Sequence, residues 1–115
     1  MRRIEIILGE LERLTRGLNL AHLAQETAFT AEAIGFNLGL ARNSVSKDLN
    51  QLWNDVLAIK SRGRPVFFLH RQAIETLLGR KLDESEREVQ TVADLLPVQE
   101  NQATDDPFSS LIGYD

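Results

Sequence analysis

The chain has no cysteine, three prolines, one tryptophan and one tyrosine among its 115 residues. Without cysteine neither a disulfide staple nor a thiolate metal site can form, and a reducing cytoplasm is the expected setting. The two histidines, His22 and His70, stand far apart with no carboxylate cluster at ligand spacing, so no metal site is expected. No apolar run approaches the roughly 18 residues that a membrane helix requires. The first residues alternate charge with Ile and Leu, unlike a secretory signal. No Ser-His-Asp or Cys-His arrangement can be assembled, and Glu84, Glu86 and Glu88 form a charge run at a helix start, not a catalytic pair. These residues predict no enzyme, no cofactor and no membrane partner.

What is present is enough Leu, Ile, Val and Phe for one modest core, hence one domain with a tail. The net charge of −4 hides an uneven distribution. Residues 1–41 carry −1, residues 42–71 carry six basic and two acidic side chains, and residues 72–115 carry −7. A polyanion meets the local charge first, so the basic centre matters more than the sum.

The stretch from Thr30 to Leu69, TAEAIGFNLGLARNSVSKDLNQLWNDVLAIKSRGRPVFFL, organises the rest. Thr30 is the expected N-cap of a short helix with Ala33, Ile34 and Leu38 inward, and Phe29 stands where it can staple that helix start. Gly39 ends it and Leu40 plugs the corner. A longer helix follows from about Arg42 to Asp55, with Val45, Leu49, Leu52 and Val56 on one stripe and Trp53 beside it. Ala41 is a weak cap, so the alternative is a later start with Asn43 as the cap. Ala58–Lys60 and Pro65–Leu69 then read as the two strands of a hairpin, with residues 61–64 as a turn built on Gly63. The order of helix, tight turn, helix and hairpin predicts a mainly α fold with a small β-hairpin. It is a winged helix-turn-helix: a three-helix core plus wing, with a C-terminal helical extension.

The flanks are read more simply. Residues 1–15 predict a first helix with Ile4, Ile7, Leu8, Leu11 and Leu14 on one face, Arg3, Glu5, Glu12 and Arg13 elsewhere, and Gly17 as its stop. Between Leu18 and Ala28, a short helix capped by Asn19 and an irregular connection both remain open. His70 to Leu78 turns helical again, closed by Gly79. Asp83–Leu95 predicts a further helix, acidic in its first turn, with Val89, Val92, Ala93 and Leu96 apolar and Pro97 as terminator. The expected division is 1–80 as the binding domain, 81–105 as an acidic helical extension and linker, and 106–115 as the start of a following module. The ending DPFSSLIGYD suggests a chain cut from something longer.

On the second helix of the pair, Asn43, Ser44, Lys47, Asn50 and Asn54 form a polar side opposite the buried stripe. Asn pairs with adenine and Lys with guanine in the major groove, while Ser reaches base or phosphate. A solvated helix face is the plain alternative. Arg62, Gly63, Arg64 and Pro65 make a compact basic hairpin tip suited to phosphates or a narrow minor groove, where the alternative is a solubilising turn. Lys60, Arg42 and Arg71 are candidate phosphate contacts or solvated flanks. Trp53 is expected half-buried, and Phe67 and Phe68 are expected in the core instead of stacking on RNA bases.

These residues, above all GLARNSVSKDLNQL followed by IKSRGRPVFFL, resemble the N-terminal winged helix-turn-helix of LevR-like sigma-54-dependent bacterial transcriptional activators. In that family the domain precedes an AAA+ ATPase module and phosphotransferase-system regulation domains. DPFSSLIGYD, residues 106–115, is similar to the beginning of the ATPase module. The resemblance covers the middle third and the last ten residues. It implies Arg42, Asn43, Ser44, Ser46, Lys47 and Asn50 as the recognition-helix face and Arg62, Gly63 and Arg64 as the wing. The chain departs from the pattern at Ala41, where the family favours serine. The resemblance further implies regulation of a sugar-uptake operon, with ATP hydrolysis and contact with sigma-54 RNA polymerase left to the absent domains.

The expected function is sequence-specific binding of double-stranded DNA as a homo-oligomer, because one such domain covers little surface. The first helix and the one from Asp83 are candidate subunit contacts or plain core. Two other classes compete: a protein-interaction module, which an acidic recognition side would favour, and an RNA-binding antiterminator-like module, which would expose aromatics on a sheet.

Overall fold

A computed structural model describes residues 2–19 and 26–95. Residues 20–25, which include His22 and fall within the stretch where a short helix and an irregular connection both remain open, lie outside the described residues, as do Leu96, Pro97 and the stretches 98–105 and 106–115.

Helix α1 spans Arg3–Arg16 and buries Ile7, Leu11 and Thr15. The Thr15 hydroxyl, lacking any exposure, donates to the Leu11 carbonyl (2.7 Å) and accepts the His70 N–H (3.0 Å). A 3-10 turn at Glu26–Phe29 leads into α2, Ala31–Leu38, whose Thr30 cap accepts the Ala33 N–H at 3.1 Å. Gly39 ends α2 with φ 69°, a left-handed conformation open to glycine at no steric cost. Inside α2, a Cβ on Gly35 would lie 2.7 Å from the Leu40 carbonyl oxygen, so the missing side chain is what lets the turn fold back.

Helix α3 runs Arg42–Asn54 with Ala41 at its N-cap and no side-chain cap bond, so the later start with Asn43 as cap is not adopted. Val45, Leu49 and Leu52 are buried as the stripe predicts, and Asp48 is buried with them. Val56 departs from the stripe. It sits beyond the helix with φ 64°, and the bonds Val56 N–H to Trp53 O and Leu57 N–H to Leu52 O close a Schellman turn around it. The helix has to stop there because β1 begins at Ala58.

Strand β1, Ala58–Ser61, is the middle of a three-stranded sheet. On one side it pairs antiparallel with β2, Phe68–His70, with Lys60 opposite Phe68. The returning strand starts later than Pro65, and Phe67 forms an isolated bridge with Thr30. Phe67, Phe68 and Leu69 are all buried, as expected for the core. Helix α4, Arg71–Leu78, follows and closes on Gly79 at φ 73°.

On its other side β1 pairs parallel with β3, Glu88–Val89, where a helix from Asp83 to Leu95 is the sequence expectation. That expectation is corrected: two 3-10 turns, Glu84–Glu86 and Val92–Leu95, flank the strand. The free edge of β1 supplies the reason. Its Lys60 and Arg62 N–H groups bond Arg87 O (3.2 Å) and Val89 O (2.8 Å), which a continuous helix could not offer. Leu82, Val89, Val92 and Leu95 join the same core as α1, α3 and β2, so packing continues past the compositional division at residue 80. Ile7 and Leu11 of α1 are buried within the chain, while Ile4, Leu8 and Leu14 are only partly covered.

Val56 is β-branched, half-exposed and left-handed, which costs about 1–2 kcal/mol. Val56→Gly should stabilise the chain by about 0.5–1 kcal/mol, the relief reduced by glycine's larger unfolded-state entropy. A denaturant midpoint that falls would contradict this. His70 is the other test. Its Nδ1 accepts the Ala73 N–H at 3.1 Å as the α4 cap, and burial, opposed by Glu12 and reinforced by Arg16, lowers its pKa below 6.5. The unfolded chain therefore binds the proton first, so stability falls as pH drops below about 6.5. His70→Asn, a cap that does not titrate, should flatten the melting temperature between about pH 7.5 and 5.5.

Candidate nucleic-acid interface

Helix α3 turns two rows of side chains outward. Asn43, Lys47 and Asn54 are exposed and Ser44 is half-buried. Arg42, Ser46 and Asn50 form a second row at i, i+4 spacing that faces the hairpin. With Thr30, Ala31 and Glu32 from the α2 start and Lys60, Arg64, Pro65, Val66 and Phe68 from the hairpin, they line a cleft of about 400 Å³.

The cleft wall holds a network that residue types alone do not disclose. Lys60 Nζ donates to Asn50 Oδ1 at 2.7 Å, and Asn50 Nδ2 donates to the Ser46 carbonyl at 2.9 Å. The same ammonium lies 4.9 Å from the Trp53 ring centre and 5.9 Å from that of Phe68. Trp53 is half-buried, its indole N–H donating to Arg87 O (3.1 Å) while the Arg87 guanidinium covers the ring at 5.1 Å. Trp53 thus meets two cations, Lys60 and Arg87.

The hairpin tip is built on Ser61 more than on Gly63. The buried Ser61 hydroxyl accepts the Phe67 N–H (3.0 Å) and faces the carbonyls of Gly63 (3.3 Å) and Pro65 (3.2 Å), pinning both ends of the loop. Gly63 does not adopt a positive φ. An added Cβ would come within 2.9 Å of Gln90 Nε2, the end of a flexible side chain that can turn aside. The two arginines are not equivalent: Arg62 reaches back to the Glu88 carbonyl at 3.4 Å, whereas Arg64 is exposed and bonds no described residue.

Charge pairing separates this region from the rest. Among the described residues, Arg2, Arg13 and Arg16 pair with Glu5, Glu10 and Glu12, Arg71 pairs with Glu75, and Arg80 pairs with Glu86. Those hydrogen bonds hold Glu10 and Glu86 below the usual carboxylate range. Arg71 also donates to Leu82 O at 2.6 Å, which makes it a structural tie and removes it as a candidate phosphate contact. Arg42, Lys47, Lys60, Arg62 and Arg64 form no ion pair with any described carboxylate. Among the described residues the one acidic side chain at the cleft is Glu32.

Asp48 would be the exception on α3, but Arg3 neutralises it through a bidentate pair at 2.7 and 3.1 Å. That bond and charge push the Arg3 pKa up. Arg3 was expected simply on the polar face of α1. The signal available in the sequence was Asp48 itself, which falls on the buried stripe beside Leu49.

The chain is 85% identical over all of its 115 residues to the transcriptional regulatory protein DagR of Salmonella typhimurium (strain 14028s), and spans 12% of that protein's length. It matches no protein-family model. No solved structure matches it. Among the described residues no helix is long and apolar enough to cross a membrane.

Proposed function

We propose that this chain is the double-stranded DNA-binding part of a transcriptional regulator, a winged helix-turn-helix in which α3 enters the major groove and the β1–β2 hairpin lies on the adjacent backbone. The observation that carries the reading is the concentration on α3 and the hairpin of five of the seven cations without described carboxylate partners, the other two being Lys81 and Arg87. Elsewhere in the described structure most basic side chains are locally neutralised. A phosphate backbone rewards this distribution, and solubility alone does not require it. The mainly helical fold with its small sheet is compatible with a winged helix, and the likeness to a transcriptional regulatory protein supports the regulatory role.

Arg42, Asn43, Ser44, Ser46, Lys47 and Asn50 form the recognition side in this reading, and Lys60, Arg62, Gly63 and Arg64 form the wing. The part described is a binding module and not an enzyme, and it acts in the cytoplasm as a homo-oligomer on paired half-sites. Its place in a sigma-54-dependent activator with ATPase and phosphotransferase-system domains, controlling a sugar operon, rests on the LevR-like resemblance. A protein-docking role is less favoured by unpaired cations, and an RNA-stacking role by the burial of Phe67 and Phe68.

Selection of bound duplexes from genomic DNA by the purified chain tests the proposal. Paired half-sites should be enriched, and Asn43→Ala with Lys47→Ala should blur the sequence preference. Log affinity should fall with log salt by about 0.9 for each phosphate contacted. Arg62→Ala with Arg64→Ala should flatten that slope by about 1.8 if both meet the backbone. A folded chain whose binding is absent or indifferent to salt would sink the DNA reading.

A further inference from the structure

We propose that the cleft between α2, α3 and the hairpin is a clamp for one backbone phosphate of the bound duplex, and that Asn50 belongs to this clamp instead of reading a base. This rests on the DNA reading above and assigns different work to the two rows of α3.

The starting point is the amide of Asn50. A bidentate contact with adenine uses the amide oxygen as acceptor and the amide nitrogen as donor together. Here both ends are engaged by the protein, the oxygen by Lys60 at 2.7 Å and the nitrogen by the Ser46 carbonyl at 2.9 Å. The amide plane is fixed by its neighbours, with a cation seated against its acceptor end. The nitrogen keeps one N–H and the oxygen one lone pair, but the Lys60 ammonium seated on the oxygen screens that lone pair, so the amide offers the cleft chiefly a donor.

Lys60 is fixed in the same way. Its ammonium rests between the Trp53 and Phe68 rings and the Asn50 oxygen, has no described carboxylate partner, and keeps donors free for the cleft. Arg42 from α3 and Arg64 from the hairpin, also without described carboxylate partners, line the same space. Three cations against the single carboxylate of Glu32 leave a net positive cleft whose polar groups are mostly donors. A tetrahedral oxyanion accepts from several directions and donates nothing, so its chemistry matches. A base edge, which alternates donor and acceptor, does not.

The phosphate is assigned to duplex DNA because the cleft opens between α3 and the hairpin, the two elements that bear most of the cations without described carboxylate partners. A phosphate held there would lie beside the row formed by Asn43, Ser44 and Lys47, leaving that row to read bases. A free phosphorylated small molecule shares the chemistry, and the test separates the two sources.

The test uses the 115-residue chain and duplexes carrying a neutral methylphosphonate at one backbone position at a time. Wild-type binding should weaken by about tenfold at one position in each half-site, the scale of one charge-assisted contact. Lys60→Gln should bind the unmodified duplex correspondingly less well and lose its sensitivity at that position alone. Arg64→Gln, an exposed change with little bearing on folding, should reduce the same sensitivity. Asn50→Ala should lower affinity equally on preferred and altered sequences, while Asn43→Ala changes which sequence is preferred.

A changed base preference with Asn50→Ala, or Lys60→Gln and Arg64→Gln variants that keep the full methylphosphonate profile, would overturn the clamp while leaving DNA binding intact. Inorganic phosphate that perturbs Lys60 and Arg42 resonances, with no methylphosphonate effect on the duplex, would assign the cleft to a free anion and overturn the backbone assignment. Absence of duplex binding by folded wild-type chain would overturn the clamp and the DNA reading together.

Discussion

Strand β1 must satisfy backbone groups along both edges, and much of the described structure follows from how it does so. A two-stranded hairpin in isolation is at best marginally stable in water. Here the antiparallel partner β2 comes from the hairpin and the parallel partner β3 from a segment almost thirty residues further on. Recruiting β3 holds the chain after α4 extended, brings Arg87 over Trp53, and sets Gln90 beside Gly63. It also fixes the height of Lys60, whose backbone is paired on both sides and whose ammonium therefore meets Asn50 on α3. The relation between α3 and the hairpin is thus set by a sheet register and a side-chain bond, not by the helix-turn-helix turn alone.

Charge is arranged around this frame by local pairing. Carboxylates on α1, α4 and the turn after Asp83 lie three to six residues from the arginines they neutralise. Apart from the largely buried Arg71–Glu75 pair, these pairs lie open to solvent and explain little of the stability. Their consequence is electrostatic: outside α3 and the hairpin, positive charge is mostly cancelled near its source. On α3 the acidic Asp48 is turned inward and answered by Arg3 from another helix, so it does not weaken the outward positive face.

Periodicity and caps made most of the helices legible. Thr30, Gly39 and Gly79 mark boundaries the structure keeps, and the stripe Val45, Leu49 and Leu52 is buried as its spacing requires. Val56 continued that stripe on paper and left it in space, because the needs of β1 outweighed the helical pattern. The segment after Asp83 failed for the same reason: its apolar spacing suits a helix, but an unpaired strand edge is a tertiary fact that no local window contains. In the candidate site, residue types located the cations and amides that line α3 and the hairpin. They could not disclose that Asn50 is held at both ends, that Arg62 turns back toward Glu88, or that Ser61 pins the loop. Each of those depends on a partner ten or more residues away, or on a loop path that composition does not specify.

The most direct measurement is a residue-resolved amide chemical-shift titration of the isotopically labelled 115-residue chain with a short duplex. The largest shifts should fall on residues 42–50 and 60–64, with α1 and α4 nearly unmoved, and should fade as salt is raised. Shifts centred instead on α1, α4 or the acidic turn at Glu84–Glu86, or no shifts at low salt, would contradict the claim that the unpaired cations of α3 and the hairpin form the binding face.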